Sequence, residues 1–184
     1  MDFIELETER LYLKEIEKQY EHAYYDILSR KDVTAYYGMD PLESRDQAKQ
    51  MIQSFKNTFM NHRGIRWGLI LKENEKFIGT VGLNNLVLHS KRAEIGYEIH
   101  PDFWRKGYTS EAILAVLDYS FNDLKLNRVG AVTFPANEPS NNLLIKLGFK
   151  LEGISRQYLY QNNKSHDAYV FSKIRDLNQE EEYG

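Results

Sequence analysis

The feature that most constrains this chain lies between Ile65 and His100, where the apolar residues switch to a period of two. The segments Ile65–Lys72, Lys76–Leu88 and Ala93–His100 alternate apolar and small or polar residues, and the first two are separated by the polar turn Glu73-Asn74-Glu75. Such a period is that of pleated strands, whose successive side chains fall on opposite faces. Three of them in succession, with short polar breaks, predict an antiparallel meander. The pattern then changes abruptly. After Pro101 comes a polar, glycine-containing loop, Trp104-Arg105-Lys106-Gly107-Tyr108-Thr109-Ser110, and then a long amphipathic segment, Ser110–Leu124. The buried face expected for that helix consists of Ala112, Ile113, Val116, Leu117, Tyr119 and Phe121.

The flanking sequence adds helices and strands around the meander. Arg10–Leu13 alternates like a strand, and Glu17–Arg30 places Tyr20, Ala23, Tyr24, Ile27 and Leu28 at helical spacing. A second helix is predicted from Ser44, whose hydroxyl suits an N-cap, with Ala48, Met51, Ile52, Phe55 and Phe59 on one face. Downstream, Arg128–Phe134 reads as a buried strand, Ser140–Leu147 as a short helix, and Phe149–Tyr160 and His166–Ile174 as strands. The order β-α-α-β-β-β-α-β-α-β-β defines an α+β layer architecture.

A length of 184 residues suits a single domain, with a core over about 8–174 and a polar tail over 175–184. The absence of cysteine excludes disulfides, thiolate zinc sites and a cysteine nucleophile together. A net charge of −3 supplies no general field for phosphate backbones, so nucleic acid is not expected as the main partner. The N-terminal residues carry acids where a secretory leader carries bases, and no stretch approaches the length of a membrane span. These observations lead us to expect a cytoplasmic protein without membrane contact, as a monomer or homodimer. His22, His62, His89, His100 and His166 are isolated, so no metal site is expected.

The loop Arg105–Ser110 stands where a strand gives way to a helix. A helix start presents backbone N–H groups that have no intrahelical partner and attracts anions. Arg105, Lys106, the permissive Gly107 and the hydroxyls of Thr109 and Ser110 suit it to a pyrophosphate. Neither a G-x-x-x-x-G-K-[ST] loop nor a G-x-G-x-x-G fingerprint occurs in the chain. A plain turn before a helix remains the alternative.

Taken together, the pieces ETERLYL, IRWGLIL, FIGTVGL, EIGYEIHPDFWRKGYTSEA, N-x-x-S at Asn137–Ser140 and KLGF at Lys146–Phe149 resemble the GNAT superfamily of N-acetyltransferases over nearly the whole chain. The branch they look most like contains the ribosomal-protein N-terminal (alanine/serine) acetyltransferases. The resemblance implies a three-layer fold, a mixed and mostly antiparallel twisted sheet flanked by helices, with acetyl-coenzyme A as cosubstrate. It maps the family's [QR]-x-x-G-x-[GA] pyrophosphate loop onto Trp104–Thr109, with Trp104 and Thr109 as departures and Gly107 kept. It also implies that Tyr97–His100 form a strand bulge whose amides grip the pantetheine arm, making Tyr97, Ile99 and His100 cofactor contacts along with Arg105, Lys106, Gly107, Tyr108, Thr109 and Ser110. Asn137 is implied as a further contact to that arm, with helix capping as its alternative.

Acetyl transfer requires a neutral amine, a polarised thioester carbonyl and stabilisation of the departing thiolate. An α-amine titrates at about 7.7–8.0 and a lysine at about 10.4, so an α-amine needs the weaker base. Alternation along Glu94–Ile99 puts Glu94, Gly96 and Glu98 on one face and Ile95, Tyr97 and Ile99 on the other. Glu98 is nearer the loop and is the candidate general base or water-holder; a solvated or salt-bridged strand glutamate is the alternative. Many family members carry an acidic tyrosine four residues before the Gly of the Gly-Phe pair, and here that position is Leu144. Resemblance to the ribosomal-protein branch instead gives the leaving-group role to Ser140, which can equally serve as a first-turn helix residue. Tyr36–Pro41 and Arg66-Trp67 are candidates for the acceptor site. The acceptor expected is a peptide N-terminal amine, the alternatives being a polyamine or antibiotic acetyltransferase and a non-catalytic acyl-coenzyme A sensor.

Overall fold

The structure is a computed structural model and describes residues 1–176; the polar end Asn178–Glu182 lies outside the described residues. Its strands are β1 (Leu6–Glu7), β2 (Leu11–Glu15), β3 (Ile65–Leu71), β4 (Phe77–Val87), β5 (Arg92–Ile99), β6 (Arg128–Thr133), β7 (Lys150–Gln161) and β8 (Lys164–Ile174). The helices are α1 (Glu21–Leu28), α2 (Lys31–Thr34), α3 (Arg45–Met60), α4 (Tyr108–Asp118) and α5 (Glu138–Lys146). All eight strands join one sheet in the order β1-β2-β3-β4-β5-β6-β8-β7. Every neighbouring pair is antiparallel except β5 and β6, which run parallel. The α+β class and the mixed, mostly antiparallel sheet are as expected.

Strand alternation divides the core in two. Leu11 and Leu13 of β2, Ile65, Trp67, Leu69 and Leu71 of β3, and Ile95 and Ile99 of β5 pack with Ile113, Val116 and Leu117 of α4 and Leu144 of α5. Ile70 of β3 and Phe77 of β4 instead meet Tyr24, Ile27 and Leu28 of α1 and Ala48 and Ile52 of α3. The sheet therefore lies between two helical layers, one of α4 and α5 and one of α1 and α3. Tyr97, partly buried, packs with the first cluster. Glu98 hydrogen-bonds Tyr37, whose ring packs with the second. Adjacent residues of β5 thus serve opposite faces.

Local chemistry fixes most boundaries. Ser44 caps α3: its hydroxyl accepts from Gln47 N–H at 3.4 Å, and the Gln47 carbonyl oxygen accepts from Ser44 N–H at 3.3 Å. Such a cap contributes about 1 kcal/mol. Several boundaries differ from expectation: α5 begins at Glu138 rather than Ser140, β8 at Lys164 rather than His166, and β2 runs on to Glu15. The helix expected over Glu17–Arg30 begins as a 3-10 turn, Lys18–Tyr20, and becomes α-helical only over Glu21–Leu28. Helix α4 begins at Tyr108 rather than Ser110, because Gly107 adopts φ 81° and acts as its N-cap. Its far end passes into a π-turn at Tyr119–Asp123. Strand β1 and helix α2, of two and four residues, were not expected, being too short to show a period.

Candidate active site

The parallel pairing of β5 with β6 covers only Arg92↔Arg128, Ala93↔Val129 and Glu94↔Gly130. Beyond Glu94 the two strands part, while β5 stays in register with β4 from Glu94↔Asn84 to Ile99↔Gly79. The His100 amide donates to the Ile78 carbonyl at 2.8 Å, which fixes which residues of β5 turn their amides toward β4. In an antiparallel ladder these alternate, so the peptide groups of Tyr97 and Ile99 face the gap, where the Ile99 carbonyl already accepts from the Trp104 indole N–H at 2.9 Å. No bulge interrupts Tyr97–His100; the register shift in this pair falls at Asn84–Val87. The free amides expected from a bulge come instead from strand separation.

A cavity of about 870 Å³ lies at the gap and is lined from both faces of the sheet, by Tyr97 and Ser140 on one and by Glu98 and Tyr37 on the other. Of the residues singled out by sequence, it is lined by Tyr97, Glu98, Ile99, Arg105, Gly107, Tyr108, Thr109, Ser110, Asn137 and Ser140. His100 and Lys106 are not lining residues. The His100 ring is engaged elsewhere: Nδ1 accepts from the Asp102 amide at 3.2 Å, and Nε2 lies 3.3 Å from Asp26 Oδ2. The Lys106 ammonium sits over the Phe103 ring at 5.4 Å.

On the α4 side, Arg105 (φ 59°) and Gly107 (φ 81°) both adopt left-handed backbone around Lys106. Alternating hand in successive residues turns their N–H groups inward to form an anion nest. That nest runs into the first turn of α4, where Tyr108, Thr109 and Ser110 have amides without intrahelical partners. The loop is held from a distance. The Arg10 guanidinium donates to the Lys106 carbonyl at 2.9 Å, stacks 4.3 Å from the Tyr108 ring centroid and pairs with Glu111 at 2.7 Å. Glu111 also accepts from the Arg10 amide at 2.7 Å and from Thr8 Oγ1 at 2.5 Å. Burial opposes the charge of Glu111, but these hydrogen bonds win and hold its carboxyl below the usual range.

Next to this loop, the Tyr97 and Ser140 hydroxyls are 2.6 Å apart. Burial pushes the Tyr97 phenol up to about 12, so it is protonated at neutral pH. Asn137 caps α5, its Oδ1 accepting from Ser140 N–H at 3.4 Å. Leu144 is fully buried in the core. The position where the family resemblance leads one to look for an acidic tyrosine thus holds a side chain packed in hydrocarbon.

On the opposite face, Glu98 is 6% exposed and fully engaged. Oε2 accepts from Tyr37 Oη at 2.6 Å and lies 3.8 Å from Arg66 Nη1, while Oε1 accepts from Thr80 Oγ1. Arg66 in turn reaches Asn84 at 2.8 Å and the Gly96 carbonyl at 3.2 Å. The paired Gly82 and Gly96 leave room for its guanidinium; a Cβ at Gly82 would stand 2.7 Å from Arg66 Nε. Burial, followed by the Glu98 charge, raises the Tyr37 phenol far above its ordinary value. Of the acceptor candidates, Tyr36, Tyr37 and Arg66 line the cavity. Trp67 does not: it is fully buried in the α4-side core, its indole N–H donating to the Ile4 carbonyl at 2.8 Å. Sequence reasoning missed Arg10, Glu111, Thr80 and the Tyr97 phenol as partners, since each is joined through space and none carries a local motif.

An anion nest, a strand edge without a sheet partner beyond Glu94 and a carboxylate across the gap thus stand around one cavity. A family model for the acetyltransferase (GNAT) domain matches residues 10–150. The N-acetyltransferase YoaA of Bacillus subtilis (strain 168), itself uncharacterized, is 46% identical over 170 residues, covering 92% of this chain and 96% of that protein. The ribosomal-protein-serine acetyltransferase of Escherichia coli (strain K12) is 24% identical over 135 residues, covering 73% and 74%. A crystal structure of a GNAT-family acetyltransferase from Bacillus anthracis superposes with a TM-score of 0.81 at 25% identity, covering 93% and 98%. The chain belongs to the GNAT acetyltransferase family and is by class an acetyl-coenzyme A-dependent N-acetyltransferase. Among the described residues no helix is long and apolar enough to cross a membrane, and no cluster of three or more His, Asp or Glu residues could hold a metal ion.

Proposed function

We propose that the protein acetylates a peptide N-terminal α-amine by direct attack, with acetyl-coenzyme A entering from the α4 side and the amine from the Tyr37 side. The observation that carries this reading is the cavity's continuity through the β5–β6 gap, with orphaned amides at one end and a carboxylate at the other. Acetyl-coenzyme A supplies an activated thioester; the amine nitrogen bonds to its carbonyl carbon, the C–S bond breaks, and the sulfur leaves with the electron pair. Gly107–Ser110 receive the pyrophosphate on backbone N–H groups. The Tyr97 peptide group and the Ile99 N–H, turned into the gap, hold the pantetheine amides, and Asn137 joins them.

Glu98 acts through Tyr37. Because the Tyr37 proton is held by Glu98, the phenol oxygen offers its lone pairs to the incoming amine, and the proton shed by that amine passes along the pair. An α-amine is already partly neutral at pH 7, so this relay suffices, whereas a lysine would demand more. Ser140 stabilises the leaving sulfur. Tyr97, the stronger acid of the pair, donates to Ser140 Oγ and leaves the serine O–H free to point at the thiolate.

The test is release of free coenzyme A over an amine panel: peptides beginning with Ala or Ser, the same peptides N-terminally blocked with an internal lysine, spermidine, and an aminoglycoside. Turnover with the free N-terminal peptides above all others is expected. Turnover confined to spermidine or the aminoglycoside would move the acceptor to a small cation and overturn the α-amine assignment.

A further inference from the structure

The acceptor end of the cavity is carried by a short irregular segment between α2 and α3, and its backbone is tied down by a side chain from the far edge of the sheet, beside the contacts of Tyr36 with Phe134 and of Tyr37 with Glu98. Gln161 is the last residue of β7 and only 5% exposed. Its Nε2 donates to the Thr34 carbonyl at 2.7 Å and to the Met39 carbonyl at 2.9 Å, and its Oε1 accepts from the Gly38 amide at 3.0 Å. Both amide hydrogens and the carbonyl oxygen are thereby used on three backbone groups within six residues. This pattern also fixes the orientation of the amide, because the reverse flip would set oxygen against two carbonyls.

Between the clamped ends stand Tyr36 and Tyr37, the two aromatic residues of the acceptor end. The segment's own backbone offers little restraint: Tyr37 N–H donates to Thr34 O at 3.1 Å, and Gly38 needs φ 81°. Gln161 itself does not line the cavity. Its location is set by the turn that follows, in which Asn162 (φ 54°) and Asn163 (φ 56°) are both left-handed and close β7 onto β8 through two residues.

We infer that Gln161 is a positioning residue for the acceptor: by clamping Thr34–Met39 it places Tyr36 against the amine's flanking group and Tyr37 on Glu98. The inference rests on the reading of the Tyr37 end as the acceptor end. It predicts that acceptor selectivity is governed by the β7–β8 hairpin as well as by the residues that touch substrate. A neutral amide is the group required, since a glutamate would press a carboxylate against two carbonyl oxygens.

The experiment compares wild type, Gln161→Ala and Gln161→Met, the last retaining length and bulk without the hydrogen bonds. Hydrogen exchange is read on peptides covering 34–39 and, as a control, α4. In addition, KM is measured separately for acetyl-coenzyme A and for the best acceptor of the amine panel. Both variants are expected to speed exchange over 34–39 without altering α4. They should raise the acceptor KM roughly five- to thirtyfold, the worth of one or two kilocalories of lost hydrogen bonding. KM for acetyl-coenzyme A should stay within about twofold. Rescue by Gln161→Met would assign the residue to packing and overturn the inference, as would a Gly38 amide that exchanges at the open-chain rate in wild type, which needs no variant. Tyr36→Ala separates the two levels. If it raises the acceptor KM while the Gln161 variants do not, the acceptor end stands and the clamp fails; if all three raise the KM for acetyl-coenzyme A instead, the acceptor end itself is misassigned.

Discussion

The hydroxyls of Tyr97 and Ser140 meet at 2.6 Å across 43 residues of sequence, one carried by β5 and the other by the first turn of α5. Two ordinary hydroxyls become one donor chain, because a phenol that keeps its proton lends polarity to the serine beyond it. The pair stands at the mouth of the β5–β6 gap, on the α4 side of the sheet, where the proposed route for the thioester enters.

Removal of either hydroxyl should slow the chemical step. Tyr97→Phe and Ser140→Ala are each expected to lower kcat by about ten- to a hundredfold at unchanged KM for acetyl-coenzyme A. The double variant should be no slower than Ser140→Ala alone, since the two act as a unit. Steady-state kinetics on the three variants check this; additive losses would show two independent roles. The Tyr97 phenol, pushed up to about 12, should add no break to the pH profile between pH 7 and 10. Its raised value supports the fold below the ordinary tyrosine range, and that support is lost as pH climbs through the folded value.

Glu98 should matter to turnover and to stability together. Glu98→Gln leaves Arg66 without its buried counter-charge, a change that costs about 3–5 kcal/mol where a buried pair is broken. Tyr37→Phe removes only the hydroxyl and keeps the Glu98–Arg66 pair, so it tests the relay at the loss of one donor to Glu98. It is expected to lower kcat about tenfold or more with a smaller loss of Tm than Glu98→Gln, read by kinetics beside thermal melting. Wild-type turnover in Tyr37→Phe would take the phenol out of the proton path.

Gly107 is the residue on which the anion nest depends. At φ 81° an L side chain costs about 1–2 kcal/mol, and its Cβ would also lie 3.3 Å from Arg10 Nη2. Gly107→Ala is therefore expected to raise the KM for acetyl-coenzyme A about tenfold or more while sparing the acceptor KM. Repeating the assay with S-acetylpantetheine, which lacks the pyrophosphate, should erase the difference between variant and wild type.

Glu111 ties the N-terminal strand to this loop through Arg10 and Thr8, and its carboxyl is held below the usual range. A lowered folded pKa means that the stabilisation is present in full above the unfolded value, about 4.3, and disappears as pH falls through the folded one. Glu111→Gln should lower stability by about 1–2 kcal/mol at pH 7, the partial exposure of Arg10 limiting the effect. Urea melts at pH 7 and pH 3 should show the two proteins converging at the lower pH.

The sequence determined this protein's periods and its punctuation. Alternation through Ile65–His100 fixed the meander and separated Glu98 from Tyr97 by face, because a strand's side-chain period is two whatever surrounds it. The turn into α4 was legible as an anion site, since glycine, basic residues and a helix start act locally. What the chain could not declare was the partner of any side chain. Gln161 reaches the backbone of Thr34–Met39 over more than a hundred residues, Arg10 braces the loop at Lys106, and Tyr97 finds Ser140. Likewise, the expected bulge at Tyr97–His100 gave way to a parting of β5 from β6, an event between two strands that neither strand's sequence encodes. Local patterns follow from the covalent order of residues and the geometry of helix and strand; pairings across the sheet arise only when packing brings distant segments within hydrogen-bond reach.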